Sequence, residues 1–263
     1  MSKTVVLTGA AGGMGAAVRK LLEEKGYCVW SLDIAECDIQ RYIRTDITST
    51  ESVEAAVRQI ASECGKIDAV VHTAGIYDMN SLVEMPEEEF LRIFNVNLFG
   101  MYRVNKAFLP LLKPNSRIIM VSSELAPLDP LPFNGIYGIT KSAIEKYAYS
   151  LRMELQLLGH KVSVIRPGAV RTSLLDVSRK RIEHFCDNTE LYKNTSKRFL
   201  KLVNRIETAN VEPGKIAKRI LRALEARCPR YVYNINRSPL LRLFNALPQH
   251  LQNYLIRKIL SNR

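Results

Sequence analysis

The sequence predicts an α/β fold, a doubly wound parallel sheet with helices on both faces, and three observations carry that prediction. Short β-branched runs alternate with longer helical patterns up to about residue 170. The first run, KTVVLT, is followed at once by a glycine-rich turn and a helical pattern. The 263 residues are 47% apolar and 24% charged with 13 Gly and 11 Pro, which suits one large domain with a core of its own.

Strands are expected at 3–8 (KTVVLT), 27–33 (YCVWSLD), 42–45 (YIRT), 67–72 (IDAVVH), 116–122 (SRIIMVS) and 161–166 (KVSVIR), with a short one in YVYN after residue 230. Helical periodicity covers about 14–25, 50–64, 87–112, 136–158 and 213–226. Only the eight residues Ile34 to Arg41 separate the second and third strands, so no full helix fits in that crossover. Residues 1–263 read as a single domain, with a basic lid at about 173–210 and an amphipathic tail at about 237–263.

The formal charge of +12 is uneven. Residues 1–160 carry 16 Lys and Arg against 19 Asp and Glu, a net −3, and residues 161–263 carry 22 against 7, a net +15. Five widely spaced cysteines, Cys28, Cys37, Cys64, Cys186 and Cys228, form no C-x-x-C pair and argue against a disulfide framework or zinc site. His160, His184 and His250 share no ligand spacing, so no metal is expected. No stretch of about 18 uncharged apolar residues occurs. The strand that begins at residue 3 leaves no room for a signal peptide, and a reducing cytoplasm is the expected compartment. The basic half lacks an aromatic-interleaved motif or a groove-reading helix, which argues against nucleic acid as a partner.

Thr8-Gly9-Ala10-Ala11-Gly12-Gly13-Met14-Gly15 lies between a strand and a helix, where glycines let a pyrophosphate approach the positive helix end. Asp33, at the end of the second strand and 24 residues after Gly9, can accept bonds from ribose hydroxyls and repel a 2′-phosphate. That favours NAD over NADP, with Arg41 and Arg44 as the nearest opposing charges. Tyr137 and Lys141 stand one helical turn apart, where an ammonium can lower the phenol pKa. Ser122-Ser123 ends a strand 14 to 15 residues before Tyr137, and Asn97 lies in NVNLFG on the preceding helix.

Taken in order, these motifs resemble the shorter form of the short-chain dehydrogenase/reductase family over about residues 3–235. The resemblance implies a Rossmann-type sheet of about seven strands in the order 3-2-1-4-5-6-7. Its cofactor-binding motif falls on Thr8, Gly9, Gly13, Met14 and Gly15, its adenine contact on Asp46 with Ile47, and its N-N-A-G on His72-Thr73-Ala74-Gly75. Its catalytic group falls on Asn97, Ser123, Tyr137 and Lys141, and its nicotinamide-end motif on Pro167-Gly168 with Thr172. Three departures are visible. His72-Thr73 replaces an Asn pair, the Ser-to-Tyr spacing is a residue longer than is commonest, which leaves Ser122 as an alternative to Ser123, and the second crossover is truncated. His72 reads as a satisfied core or loop histidine in preference to a catalytic group.

The resemblance implies hydride transfer between a secondary alcohol or ketone and NAD. In it Tyr137 is the acid/base, Lys141 the ribose clamp, Ser123 the hydrogen bond to the substrate oxygen, and Asn97 the holder of a relay water. The stretches FNVNLFGMYRVNKAFLPLL, SLRMELQLLGHKVSVIRPGAVRT and RYVYNINRSPLLRLFNALP look like the retinol and hydroxysteroid dehydrogenase branch, so a bulky hydrophobic substrate is expected. Alternatives are a binding or regulatory protein that kept the fold without the chemistry, and a small polar carbonyl substrate. The family implies a homodimer or homotetramer built through the helices at 87–112 and 136–158. In the tail, Leu240, Leu243, Phe244, Leu247, Leu251, Tyr254, Leu255 and Ile259 fall at helical spacing beside Arg242, Arg257, Lys258 and Arg263. They suit two short amphipathic helices parted by Pro248, which either pack over the substrate mouth or lie on an anionic membrane surface.

Overall fold

The computed structural model describes residues 2–207 and 210–261, with the backbone alone at 173–179 and 205–207. Seven parallel strands form one sheet: β1 (Thr4–Thr8), β2 (Cys28–Asp33), β3 (Tyr42–Arg44), β4 (Ile67–His72), β5 (Leu112–Val121), β6 (Lys161–Pro167) and β7 (Val232–Ile235). Their order is β3-β2-β1-β4-β5-β6-β7, as the resemblance implies. TVVLT of β1 is buried along its whole length because the strand is covered on both faces.

Each face has its own helical layer. On one, α2 (Thr50–Cys64), α4 (Gly100–Phe108) and α5 (Gly135–Leu155) bury Val53, Ile60, Met101, Val104, Phe108 and Ile144 against Val6, Val70 and Ile118. On the other, α1 (Gly13–Glu24) and α8 (Pro213–Glu225) bury Val18, Leu22, Ile216 and Ile220 against Val5, Leu7 and Val71. This division follows the strand's period of two, since Val5 and Leu7 point one way and Val6 the other.

Three details depart from the expected element bounds, while the second crossover, without a helix, is as expected. The helix expected over 87–112 is α3 (Glu87–Phe94) and α4, joined by a π turn at Asn95–Phe99 that carries Asn97. β5 begins at Leu112, not 116, because Leu112 pairs with Ile67 before the ladder shifts register and resumes at Ala69. The Ile34–Arg41 crossover holds no helix; Arg41 turns it at φ 55°, and Tyr42 Oη donates to the carbonyls of Asp33 and Ala35. The helix expected to 158 leaves α geometry after Leu155 and stops at Gly159, which is left-handed at φ 82°.

Beyond β6, the basic stretch forms α6 (Ser173–Asn188) and α7 (Lys193–Glu207), and the tail forms α9 (Pro239–Asn245) and α10 (Gln249–Leu260) with Pro248 between them. A third apolar cluster joins Phe133, Ile182, Phe185, Phe199, Val203 and Leu260, with Met79 from the β4–α3 loop. It stands over the carboxyl ends of the strands, where open α/β sheets place their ligands.

Candidate active site

The glycine turn is shaped by close backbone approaches. Gly9 has φ 70°, and a Cβ there would stand 2.4 Å from Ala74 N; a Cβ on Gly15 would stand 1.9 Å from Gly9 O. Both positions require glycine for the turn to sit against the end of β4 and for α1 to start at once. Gly12 caps α1 with no side-chain bond, and no acidic residue lies in the first turn. The first amides of α1 are therefore open to an anion. Thr8 Oγ1 beneath them is buried and unpartnered. Gly13 and Met14 face the far side of the site, where a Cβ on Gly13 would stand 2.9 Å from Thr172 Cγ2.

Asp33 ends β2 and braces this turn, accepting from Ala11 N at 2.9 Å and from Ala35 N at 3.2 Å. Its strand partner Arg44 turns outward to the Ile34 carbonyl at 3.2 Å and to Glu36. Asp46 caps Thr48, at 2.8 Å to the amide and 2.7 Å to the hydroxyl, while Ile47 is buried against Gly100. Asp33, Asp46 and Ile47 do not border the cavity around Tyr137.

That cavity, of about 150 Å³, is bordered by Ser123, Tyr137, Lys141, Gly75, Pro167, Gly168 and Thr172 together. Ala74 packs on the core behind Gly75. The Ser123 hydroxyl bonds the Tyr137 phenol, and Ser123 Oγ also accepts from Leu125 N at 3.2 Å. Ser122 faces away, donating to Glu145 at 3.0 Å, and Glu145 in turn pairs with Arg166. The structure thus puts Ser123, not Ser122, beside the phenol. Lys141 Nζ lies 5.4 Å from the Tyr137 ring centroid and donates to Val121 O at 3.2 Å.

The expected acidification of the phenol is not seen. Burial pushes the Tyr137 phenol up, against the smaller opposing pull of the Ser123 hydroxyl. Burial also brings Lys141 down to about 8, so desolvation weakens the very charge that was to act on the phenol. The cavity holds a phenol that keeps its proton and an amine close to losing one.

Asn97 clasps the loop after β4. Its Oδ1 accepts from Ile76 N at 2.8 Å, its Nδ2 donates to Ile76 O at 2.9 Å, and Nδ2 also reaches Thr140 Oγ1 at 3.2 Å. A Cβ on Gly75 would stand 3.2 Å from Asn97 Oδ1 and 3.7 Å from Lys141 Nζ, so this clasp holds the loop directly over the lysine. His72 is a core residue: Nε2 lies 2.8 Å from Asn105 Oδ1, and burial lowers its pKa to about 4. Thr73 donates to Thr8 O at 2.7 Å, tying the ends of β1 and β4 together.

Several cavity residues escaped sequence reasoning. The Tyr77 ring stands 4.3 Å from that of Tyr137, and Met79, Phe199, Val203 and Leu241 supply the apolar wall. They come from three separate segments whose meeting is tertiary, and no local pattern marks them. Among the described residues, no group of three His, Cys, Asp or Glu side chains could hold a metal, and no helix is long and apolar enough to cross a membrane.

Comparison with known proteins agrees with this geometry. The chain is 28% identical to the 3-ketodihydrosphingosine reductase of Bacteroides thetaiotaomicron, over 96% of each protein. It is 29% identical to retinol dehydrogenase 7 of Mus musculus, over 88% of this chain and 80% of that one. In fold it matches the crystal structure of a 3-ketoacyl-(acyl-carrier-protein) reductase from Brucella melitensis complexed with NADH, at TM-score 0.73 and 21% identity over 90% of this chain and 97% of the other. The family model described as short chain dehydrogenase matches residues 3–183, and the chain belongs to that family of oxidoreductases.

Proposed function

We propose that this protein interconverts a ketone and a secondary alcohol on a bulky hydrophobic substrate, with NAD as the redox partner. The observation that carries the reading is the opening of the Ser123, Tyr137 and Lys141 cluster into a cavity walled by Met79, Leu131, Phe199, Val203 and Leu241. Steroid-like, retinoid-like and long-chain ketones fit such a wall, and the names of the two curated relatives support the same class.

The residues suit a nicotinamide nucleotide. The open amides of α1 and the side-chain-free surface at Gly12 accommodate a pyrophosphate, and Asp33 stands where ribose hydroxyls would donate to it. Arg44 is already engaged by Ile34 O and Glu36, which leaves the Asp33 carboxylate to repel a 2′-phosphate. Bound there, the nucleotide supplies or accepts the two electrons of the reaction.

The protein's own groups manage position and proton. Ser123 orients the Tyr137 phenol and hydrogen-bonds the substrate oxygen as charge builds on it. Tyr137 gives its proton to that oxygen in ketone reduction and takes it back in alcohol oxidation. Lys141 would hold the nucleotide's ribose hydroxyls, and its ammonium is the charged donor beside the phenol. Asn97 keeps Gly75 and Ile76 in place over Lys141. Phe199, Val203 and Leu241 exclude water from the reacting carbon.

The reading extends to assembly and place: a cytoplasmic homo-oligomer formed through α3, α4 and α5, whose Leu91, Tyr102, Tyr149 and Met153 are exposed. The test is a screen of hydrophobic ketones and alcohols with NADH, NAD, NADPH and NADP side by side. Turnover of bulky ketones with at least about tenfold preference for NADH is expected. Turnover confined to small polar carbonyls would overturn the substrate class, and none with any nucleotide would leave a binding protein.

A further inference from the structure

Behind the reacting cluster stands an ion pair that the mechanism does not use. Ser122, directly after β5, continues that strand's alternation onto the α5 face with Ile118 and Met120, and Arg166 of β6 lies on the same face with Val162 and Val164. Both polar residues meet Glu145, one helical turn past Lys141 on α5. Glu145 Oε1 accepts from Ser122 Oγ at 3.0 Å and from Arg166 Nε at 2.6 Å, and Oε2 accepts from Arg166 Nη2. Tyr231 Oη donates to the Glu145 carbonyl at 2.9 Å. The side chains of Arg166 and Glu145 are 19% and 12% exposed, so the pair is largely withdrawn from water.

A pair withdrawn this far loses much of its attraction to desolvation, and apolar side chains of like volume often serve stability as well. Its neighbours show what else it does. Val121 O accepts from Lys141 Nζ at 3.2 Å, Ser122 Oγ is held by Glu145, and the Ser123 hydroxyl bonds the Tyr137 phenol, so three successive residues each carry one contact. The ladder to β4 ends at the His72–Met120 pair. Past it, the segment is joined to β6, from Ser122 N to Ile165 O and from Glu124 N to Pro167 O, both at 2.8 Å. The Glu145 carboxylate holds the middle residue from the helix side. Through Arg166, the residue before Pro167-Gly168, it also holds a turn that borders the cavity.

We propose that Glu145 is a positioning residue for the reaction. By capturing Ser122 it turns Ser123 to the phenol and sets Val121 O against Lys141, and by holding Arg166 it keeps the Pro167-Gly168 turn in register with them. The inference rests on the oxidoreductase reading above and adds to it a residue that does not border the cavity. Ser122 and Ser123 are adjacent and chemically alike, and one hydrogen bond behind the cluster decides which of them reaches the phenol. A misplacement of about 1 Å at a reacting centre can cost a rate about a hundredfold, so an anchor one residue from Ser123 is close enough to matter.

The experiment measures kcat for a bulky ketone, NADH Kd and Tm in wild type, in Ser122→Ala, in the double variant Glu145→Met with Arg166→Met, and in all three changes together. Ser122→Ala leaves the ion pair in place and removes its hold on the segment. The methionine pair removes both charges at once, so neither is left buried alone. Both variants should lose kcat by at least about tenfold with NADH Kd within about threefold of wild type, the methionine pair at an unchanged or higher Tm. The three changes together should lower kcat no further than the methionine pair does, within about twofold, because both act through one link. Wild-type kcat in Ser122→Ala, or in the folded methionine pair, overturns the inference and leaves Glu145 a stabilising partner of Arg166. So does a loss shared equally between kcat and nucleotide affinity, which would mark a general loosening. A further loss in the triple variant would give Ser122 a role of its own and overturn it too. If the methionine pair does not fold, Ser122→Ala decides alone. Wild type that turns over no ketone with NADH or NADPH removes the oxidoreductase reading and the inference with it; the other outcomes leave that reading standing.

Discussion

The first 160 residues and the last 103 differ in how they are held and in what they contribute. The first part, net −3, supplies β1 to β5, α1 to α5, the side chains placed at the phenol, Ser123, Lys141 and Tyr77, and the Asn97 clasp. Its geometry depends on backbone packed against backbone, as at Gly9 and Gly15. The second part, net +15, completes the sheet with β6 and β7 and then supplies most of the apolar wall through α7 and α9. On the proposed function, the difference separates the part that holds the reacting groups from the part that supplies most of the substrate wall. A rigid parallel sheet fixes the reacting groups, and helices that rest on side-chain contacts shape what reaches them.

The largest expected effect lies in the first part. Lys141→Ala should lower turnover by about a thousandfold and weaken nucleotide affinity, because the same ammonium serves the phenol and the ribose. An unchanged nucleotide Kd in an inactive variant would confine Lys141 to the proton.

Glycine substitutions sharpen the contrast. In Gly15→Ala the new Cβ meets Gly9 O, a backbone atom that cannot step aside, and stability should fall by about 3 kcal/mol by denaturant titration. Gly214 opens α8 in the second part with open space around it, and Gly214→Ala should be neutral or stabilising by about 0.5 kcal/mol. Similar losses at both positions would dissolve the distinction.

A pH effect of about 2 kcal/mol should mark the buried amine. Burial sets Lys141 near 8 in the folded protein against 10.5 when free, so the unfolded chain binds more protons between those values. The cost of burying the ammonium is fully present below pH 8 and is relieved as pH rises from 8 toward 10.5. Above about 10 the Tyr137 phenol, raised by burial, acts in the opposite sense, because the unfolded tyrosine ionises first. Without nucleotide, urea unfolding should show stability rising from pH 7 to 9.5, and Lys141→Ala should flatten the rise. A flat wild-type curve would contradict the buried-amine account.

The tail gives the smallest effect. Its inner face is Leu241, Gln252 and Leu260, while Leu240, Leu243, Tyr254 and Ile259 are exposed beside Arg242, Arg257 and Lys258; Arg263 lies outside the described residues. Truncation before Pro239 removes one wall of the cavity, and kcat/KM for a bulky ketone should fall about tenfold with a small ketone little changed. Binding of the full chain to anionic vesicles at low salt, lost on truncation, would assign the exposed face to a membrane. Full-length protein that ignores such vesicles would limit the tail to the cavity wall.

How far the molecule was legible in its sequence follows the same division. The strands could be read because both faces of a parallel sheet are covered, which leaves uninterrupted runs such as TVVLT. Gly9, Asp33 and the Tyr137 to Lys141 spacing were visible because their partners are local or follow a fixed period. The early start of β5 was not, since Leu112 is drawn into the sheet by Ile67, forty-five residues away. The π turn at Asn97 was hidden inside an ordinary helical pattern. The raised phenol was misread because sequence shows a neighbouring lysine and does not show the burial that outweighs it. Tyr77, Phe199 and Leu241 meet only through long-range packing, and the wall they build had no local signature.

The most direct test of the account is Tyr137→Phe in the full-length protein, assayed for ketone reduction beside nucleotide binding by fluorescence titration. The phenylalanine keeps the ring against Tyr77 and removes the oxygen that carries the proton. Turnover should fall to less than about a tenth of wild type, with NADH affinity within a few fold. Retention of more than a tenth of the activity would move the acid/base role to another group and contradict the assignment of the site.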